Sequence, residues 1–168
     1  MERIVSLTGD ELRADPALFG DLLALNNAHA RELSWLTPER LAELVDMAFA
    51  ARQIAPARAL LLAFDQRAAY DSANFLWLRD RFERFVYIDR VVVSVAARGR
   101  GLARRLYADL AAEARTAGHV RLVCEINADP PNPASDAFHE RLGFATLGRA
   151  TLSGGKVVRY CGLDLGAG

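Results

Sequence analysis

The segment Val91-Val92-Val93-Ser94-Val95-Ala96-Ala97-Arg98-Gly99-Arg100-Gly101-Leu102-Ala103-Arg104-Arg105 sets the architecture of this chain. Its β-branched start has the character of a strand. Two glycines then turn the chain into a helix whose apolar stripe is Leu102, Leu106 and Leu110. Helix N-termini carry partial positive charge and favour acidic side chains, a wrong-signed charge costing roughly 0.3–1 kcal/mol. Here Arg98, Arg100, Arg104 and Arg105 crowd that end, and the first acid downstream is Asp109. Two like charges about 8 Å apart in water add only roughly 0.5 kcal/mol, so the cluster is tolerable without a partner. It still works against the fold unless an anion settles there, and local conflicts of this kind tend to mark function. Glycines let the backbone approach a ligand, the helix start offers unpaired N–H donors, and the arginines supply charge. The turn reads as a polyphosphate cradle.

Two common phosphate-binding designs do not fit it. A nucleotide-hydrolysing P-loop needs Gly-Lys followed by Ser or Thr, and the only lysine is the distant Lys156. A dinucleotide fingerprint wants a third glycine where Arg104 stands. The pattern Arg98-x-x-Gly101-x-Ala103 after a strand instead resembles the acetyl-CoA-binding signature of the GNAT superfamily of N-acetyltransferases. A second block, Asn132-Pro133-Ala134-Ser135-Asp136-Ala137-Phe138-His139-Glu140-Arg141-Leu142-Gly143-Phe144, is similar to the family's later motif, Asn-x-x-Ala/Ser-x-x-Phe-Tyr-x-x-x-Gly-Phe. It departs at one position, where His139 takes the place of tyrosine. The blocks stand in the family's order and at an ordinary separation.

Composition suits one such domain over residues 1–168. A chain of 168 residues with 52% hydrophobic content can bury one proper core and has little room for a second. Net charge is zero, so bulk electrostatics support neither a nucleic-acid nor a membrane partner. Of 21 basic residues all but Lys156 are arginine, a compositional bias that denies weight to any isolated arginine. Cys124 and Cys161 lack metal-site spacing and lie in apolar runs, reading as buried thiols. The start Met1-Glu2-Arg3 leads into no signal-like apolar core, and no run reaches membrane-spanning length. These features predict a soluble cytoplasmic protein with no metal, and leave a homodimer open.

Periodicity predicts a strand over 3–8, a helix over 16–27 and a second helix started by Thr37 as N-cap with Pro38 at N1. A hairpin over 49–65 follows, then a long connection over 66–84 in which Ser72 could cap a short helix. Within that helix Phe75, Leu78 and Phe82 share a side and Arg79 pairs with Glu83. A central strand over 85–95, a helix over 102–117, a strand over 120–127, a helix over 133–142 and a closing hairpin complete the chain. The order β-α-α-β-β-β-α-β-α-β-β matches the GNAT fold. The fold class is therefore α/β (α+β), one domain whose central mixed, mostly antiparallel sheet is flanked by helices.

The resemblance implies an acetyl-CoA-dependent N-acetyltransferase that moves the acetyl group directly to a primary amine of a small acceptor. It assigns Val93, Ser94 and Val95 to the pantetheine arm, and Arg98, Gly99, Arg100, Gly101, Leu102 and Ala103 to the pyrophosphate, with Arg104 as an extra contact. Asn132 serves equally as an N-cap before Pro133 or as a pantetheine contact. Ser135 and Phe138 line the cofactor path, unless Phe138 is simply core. His139, in the tyrosine's place, either protonates the departing thiolate or is a polar residue on a helix face. Period-two alternation places Tyr87, Asp89, Val91 and Val93 on one face of the central strand. Asp89 is the expected general base with Tyr87 its neighbour; pairing with an arginine is the competing reading, and Glu125 is a weaker candidate. The acceptor region by resemblance includes Asn27, His29, Glu32, Trp35, Tyr70, Asp71, Asn74 and Trp77. A non-catalytic acyl-CoA-binding module, with the missing tyrosine as its support, is the alternative function.

Overall fold

The computed structural model describes residues 2–31 and 33–166. Its frame is one seven-stranded sheet: β1 (Ile4–Ser6), β2 (Ala50–Ile54), β3 (Ala59–Asp65), β4 (Val86–Val93), β5 (Arg121–Asp129), β6 (Ala145–Thr151) and β7 (Val157–Asp164). The spatial order is β1-β2-β3-β4-β5-β7-β6, antiparallel throughout except for the parallel pair β4–β5. Helices cover both faces, which explains why every residue of β3 is buried. Leu60, Leu62 and Phe64 meet α1 (Gly9–Ala14), α2 (Pro16–Asn27), α3 (Pro38–Met47) and α4 (Ala73–Arg79) in one core. The alternate residues Ala59, Leu61 and Ala63 share the second core with Leu102, Leu106 and Leu110 of α5 (Leu102–Thr116) and with Phe138 and Leu142 of α6 (Pro133–Leu142).

The expected fold class holds, with local differences. α1 adds a helix that periodicity does not announce in six residues; its cue is the capping box in which the Thr8 hydroxyl accepts from the Glu11 amide and the Glu11 carboxylate from the Thr8 amide. α4 forms where the short helix was expected, but Ser72 makes no side-chain cap. Arg79 lies 5.5 Å over the Phe75 ring rather than pairing with Glu83. Thr37 caps α3 as expected. Cys124 and Cys161 sit opposite each other on β5 and β7 as buried free thiols. No helix among the described residues is long and apolar enough to cross a membrane.

Two irregularities near the middle of the sheet build the site. β4 and β5 pair only at Val86–Leu122 and Tyr87–Val123, after which the strands part. Opposite β3, Ala63 faces Ile88 and Leu62 faces Arg90, so Asp89 is the extra residue of a β-bulge. The bulge corrects the expected alternation. Tyr87 and Val92 pack in the core under α1–α4, while Ile88, Val91 and Val93 pack on the α5 side. Simple period-two counting fails because one inserted residue reverses every side chain beyond it.

Candidate active site

Beyond Tyr87 the β5-facing edge of β4 has no strand partner, so its N–H and C=O groups face an open cleft. The strand leads through Ser94 and a short 3₁₀ turn (Val95–Ala97) into the two-glycine turn. Gly99 and Gly101 hold φ of +78° and +70°, conformations that side-chain-bearing residues rarely adopt, and a Cβ at either would meet only open space. Among the described residues, none of the backbone amides from Gly99 through Arg104 finds an acceptor in the chain. Six consecutive donors at a helix N-terminus form an anion-binding concavity without any side chain's help.

The arginines around this concavity are not all idle. Arg100 donates to the Glu2 carboxylate at 2.7 Å, Arg105 donates to the Glu2 carbonyl at 2.7 Å, and Arg58 donates to the same carboxylate at 3.2 Å. The charge conflict in the sequence is thus partly met by Glu2, 98 residues away from Arg100. Arg98 contacts His29 Nε2 at 2.9 Å, which ties the turn to the segment after α2. Of the residues assigned to the pantetheine arm, Ser94 spends its amide on the Arg58 carbonyl at 2.8 Å. Val95 stands 70% exposed beside the turn. Leu102 belongs to the core beneath the turn, so only its amide faces the concavity.

Where β4 and β5 part lies a cavity of about 180 Å³, bordered by Asp89, Tyr107, Glu125, Asn132, Ser135 and His139 among others. Asp89, the expected base, is held by two donors: Arg90 Nε at 2.7 Å and the Tyr70 hydroxyl at 2.7 Å. Arg90 in turn donates to Asn26 Oδ1 at 2.8 Å, and both members of the ion pair have nearly fully buried side chains. Glu125 is placed differently. Its carboxylate accepts from the Tyr87 hydroxyl at 2.7 Å and has no arginine partner among the described residues. Burial pushes its pKa up to about 7, with the negative Asp89 adding to the rise and the Tyr87 hydrogen bond and Lys156 opposing it.

Asn132 is the N-cap of α6, its side chain accepting from the Ser135 amide at 3.2 Å, and the residue also borders the cavity. Phe138 packs against the second core and edge-on to Tyr107 with ring centres 5.2 Å apart. His139 is not on an exposed helix face; it is 6% exposed and lines the cavity. Its Nδ1 lies 2.8 Å from the Ser135 carbonyl and its Nε2 lies 2.9 Å from the Tyr107 hydroxyl. Burial lowers its pKa.

The expected acceptor region is only partly assembled around this cavity. Asn74 borders it and accepts from Tyr160 at 2.9 Å; Tyr70 reaches it through Asp89. Asn27 braces its own loop through Leu36, Trp77 stacks on Tyr160, and Trp35 and Asp71 project into solvent. Glu32 lies outside the described residues. Sequence reasoning missed Tyr107, Asn127 and Lys156 as cavity residues. Tyr107 carries no local signal, because it reads as one more apolar residue next to Leu106.

Comparison with known proteins agrees with this geometry. The sequence matches the family model described as acetyltransferase (GNAT) family over residues 25–144. No curated protein matches the chain by sequence. Among solved structures, an N-acetyltransferase from Staphylococcus aureus superposes with a TM-score of 0.69 at 18% identity, covering 99% of each chain. The ribosomal-protein-S18-alanine N-acetyltransferase of Escherichia coli gives 0.67 at 16% identity, over 100% of this chain and 96% of its own. A chain of the NatC complex bound to Gag peptide and CoA gives 0.69 at 13% identity, over 99% and 100%. Identities this low speak for the fold alone; the family match rests on the sequence. The parted strands, the glycine turn with its free amides and the matched segment that contains both make this chain a member of the GNAT family of acetyltransferases.

Proposed function

We propose that the protein transfers an acetyl group from acetyl-CoA to a primary amine of a small acceptor by direct attack within a ternary complex. The free amides of the glycine turn suit the pyrophosphate, and the unpaired edge of β4 suits an extended arm bearing amide groups, which adds to a sheet edge as a strand would. Two structural neighbours carry CoA or acetyl-CoA, in keeping with that reading.

The observation that carries the catalytic part is Glu125. An amine acceptor is protonated at neutral pH and must lose a proton before its lone pair can attack a thioester. A base works best when its pKa lies near the operating pH. Glu125, desolvated at the cleft and raised to about 7, meets that condition. Asp89 is instead engaged by Arg90 and Tyr70, and its place in the mechanism is to fix the bulged strand and the charge of Arg90.

Acetylation of a panel of primary amines, followed by release of free thiol from acetyl-CoA, tests the proposal. Glu125→Gln is expected to lower kcat by about 10²–10⁴-fold and to abolish an inflection near pH 7. Full activity in that variant would remove Glu125 from the proton path. No turnover by the parent across the panel, with CoA binding confirmed, would favour the non-catalytic acyl-CoA-binding module.

A further inference from the structure

We propose that the Tyr107 hydroxyl, presented by α5 and held by His139, is the group that protonates the departing CoA thiolate. The inference rests on the acetyl-transfer reading above and assigns a role to a residue outside both sequence blocks. A carbonyl oxygen can only accept, so the contact of His139 Nδ1 with the Ser135 carbonyl at 2.8 Å fixes the ring's proton on Nδ1. Nε2 is then a bare acceptor, and the Tyr107 hydroxyl 2.9 Å away donates to it. The neutral imidazole therefore has no N–H left to offer the cavity. Tyr107 borders the same cavity as Glu125, Asn132 and Ser135, and its hydroxyl, unlike the ring N–H, can swing its proton from Nε2 towards the cavity by rotation about the C–O bond.

Packing keeps that hydroxyl in place. Tyr107 is 4% exposed, with Phe138 edge-on at 5.2 Å and Phe144 tilted at 6.0 Å between ring centres. The titratable groups facing it are Cys124 and Glu125 of β5 and His139 of α6; Asp136 and Arg159 lie beyond the imidazole. Burial first, then Cys124 and Glu125, raise the phenol well above its ordinary value, so it keeps its proton throughout the neutral range.

The step balances as follows. The amine lone pair forms the C–N bond as the carbonyl π pair moves to oxygen. When that pair returns, the C–S bond breaks and its electrons leave on sulfur. Glu125 takes the ammonium proton and passes it to solvent, then takes the second proton that the nitrogen sheds once the C–N bond has formed, while Tyr107 gives its O–H proton to the sulfur. The phenolate is reprotonated from solvent as Glu125 releases that second proton, so ammonium and thioester become amide, thiol and one solvent proton.

The test compares the parent with Tyr107→Phe on one amine acceptor, recording kcat, KM for acetyl-CoA, CoA affinity and melting temperature. Loss of the donor is expected to lower kcat by about 10²-fold or more, with KM and CoA affinity within about twofold. A folded variant whose kcat stays within about threefold of the parent overturns the proposal. The parent's own pH profile decides independently of how the variant folds. With Tyr107 as donor, kcat rises through about pH 7 as Glu125 ionises and then holds at least to about pH 9, below the range of tyrosine. If the His139 imidazolium were the donor, kcat would fall on the alkaline side of neutrality, because burial already holds that group below its ordinary value of about 6.5, and that result also overturns the proposal. His139 is the positioning residue: His139→Gln, which keeps an acceptor for the hydroxyl, is expected to retain more kcat than His139→Phe at similar KM. A parent that binds CoA but acetylates nothing would refute the transfer reading itself, a different outcome from an active parent with an equally active Tyr107→Phe.

Discussion

Asp89 and Glu125 border one cavity on neighbouring strands, and their partners give them opposite tasks. Arg90 and Asp89 are 5% and 6% exposed at the side chain, so among the described residues each is the other's only charged compensation for leaving water. Removing one member of such a pair leaves a buried uncompensated charge and typically costs about 3–5 kcal/mol. We therefore expect Asp89→Asn to lower the melting temperature by roughly 6–20 °C, measured by calorimetry or circular dichroism. Unchanged stability would mean that the ion pair is dispensable and would free Asp89 for chemistry. The sequence identifies both carboxylates as candidates, but ranking them requires knowing which one meets an arginine. Position on the strand carries no such information, because the bulge that turns Asp89 towards Arg90 and Tyr70 arises from pairing with β3.

At the scale of elements, the turn between β4 and α5 was legible and the cleft beside it was not. Glycine spacing, the strand before it and the stripe after it are all local, so the cradle follows from a dozen consecutive residues. The parting of β4 from β5 and the arrival of Tyr107 at His139 join residues 32 apart or more, and no short motif encodes them. The turn itself permits a sharp separation of binding from folding. Gly101 is the N-cap of α5 at φ +70°, with open space where a Cβ would stand. Aspartate tolerates the left-handed region better than most residues, and a negative charge at a helix N-terminus is favourable by about 0.3–1 kcal/mol. Gly101→Asp should thus melt close to the parent. The same carboxylate beside a pyrophosphate is repulsive by a few kcal/mol at an effective dielectric of about 20, so CoA affinity should fall by about 10²-fold or more. Isothermal titration on the folded variant checks this. Equal affinity in both forms would place the cradle elsewhere.

For the whole molecule, ligand and proton binding both enter the stability. A ligand that binds only the folded chain adds about 2.7 kcal/mol at a hundredfold excess over Kd. CoA or acetyl-CoA should raise the melting temperature, whereas NAD and ATP at equal concentration should not; a missing shift with saturating CoA would sink the cradle assignment. Glu125 supplies the second link. Its pKa rises from 4.5 to about 7 on folding, so between these values the folded chain binds more protons than the unfolded one. Stability must then fall as pH rises across that window, and the full penalty, on the order of 3 kcal/mol, is present above pH 7. A neutral isostere removes the penalty while keeping an acceptor for the Tyr87 hydroxyl. Glu125→Gln should therefore melt several degrees above the parent at pH 8, with the gap closing as pH approaches 4.5, where both forms are uncharged in the folded chain. The two buried histidines act in the other direction. His119 and His139 have lowered pKa values, chiefly through burial, so they take up protons more readily when unfolded and destabilise the chain below pH 6.5. Since both variants carry these histidines, their effect cancels in the comparison at each pH. A Glu125→Gln variant no more stable than the parent at pH 8 would show that Glu125 is solvated like a surface carboxylate. Its fitness as a base near neutral pH would then be lost with it, because the same desolvation gives Glu125 its useful pKa and makes it costly to the fold.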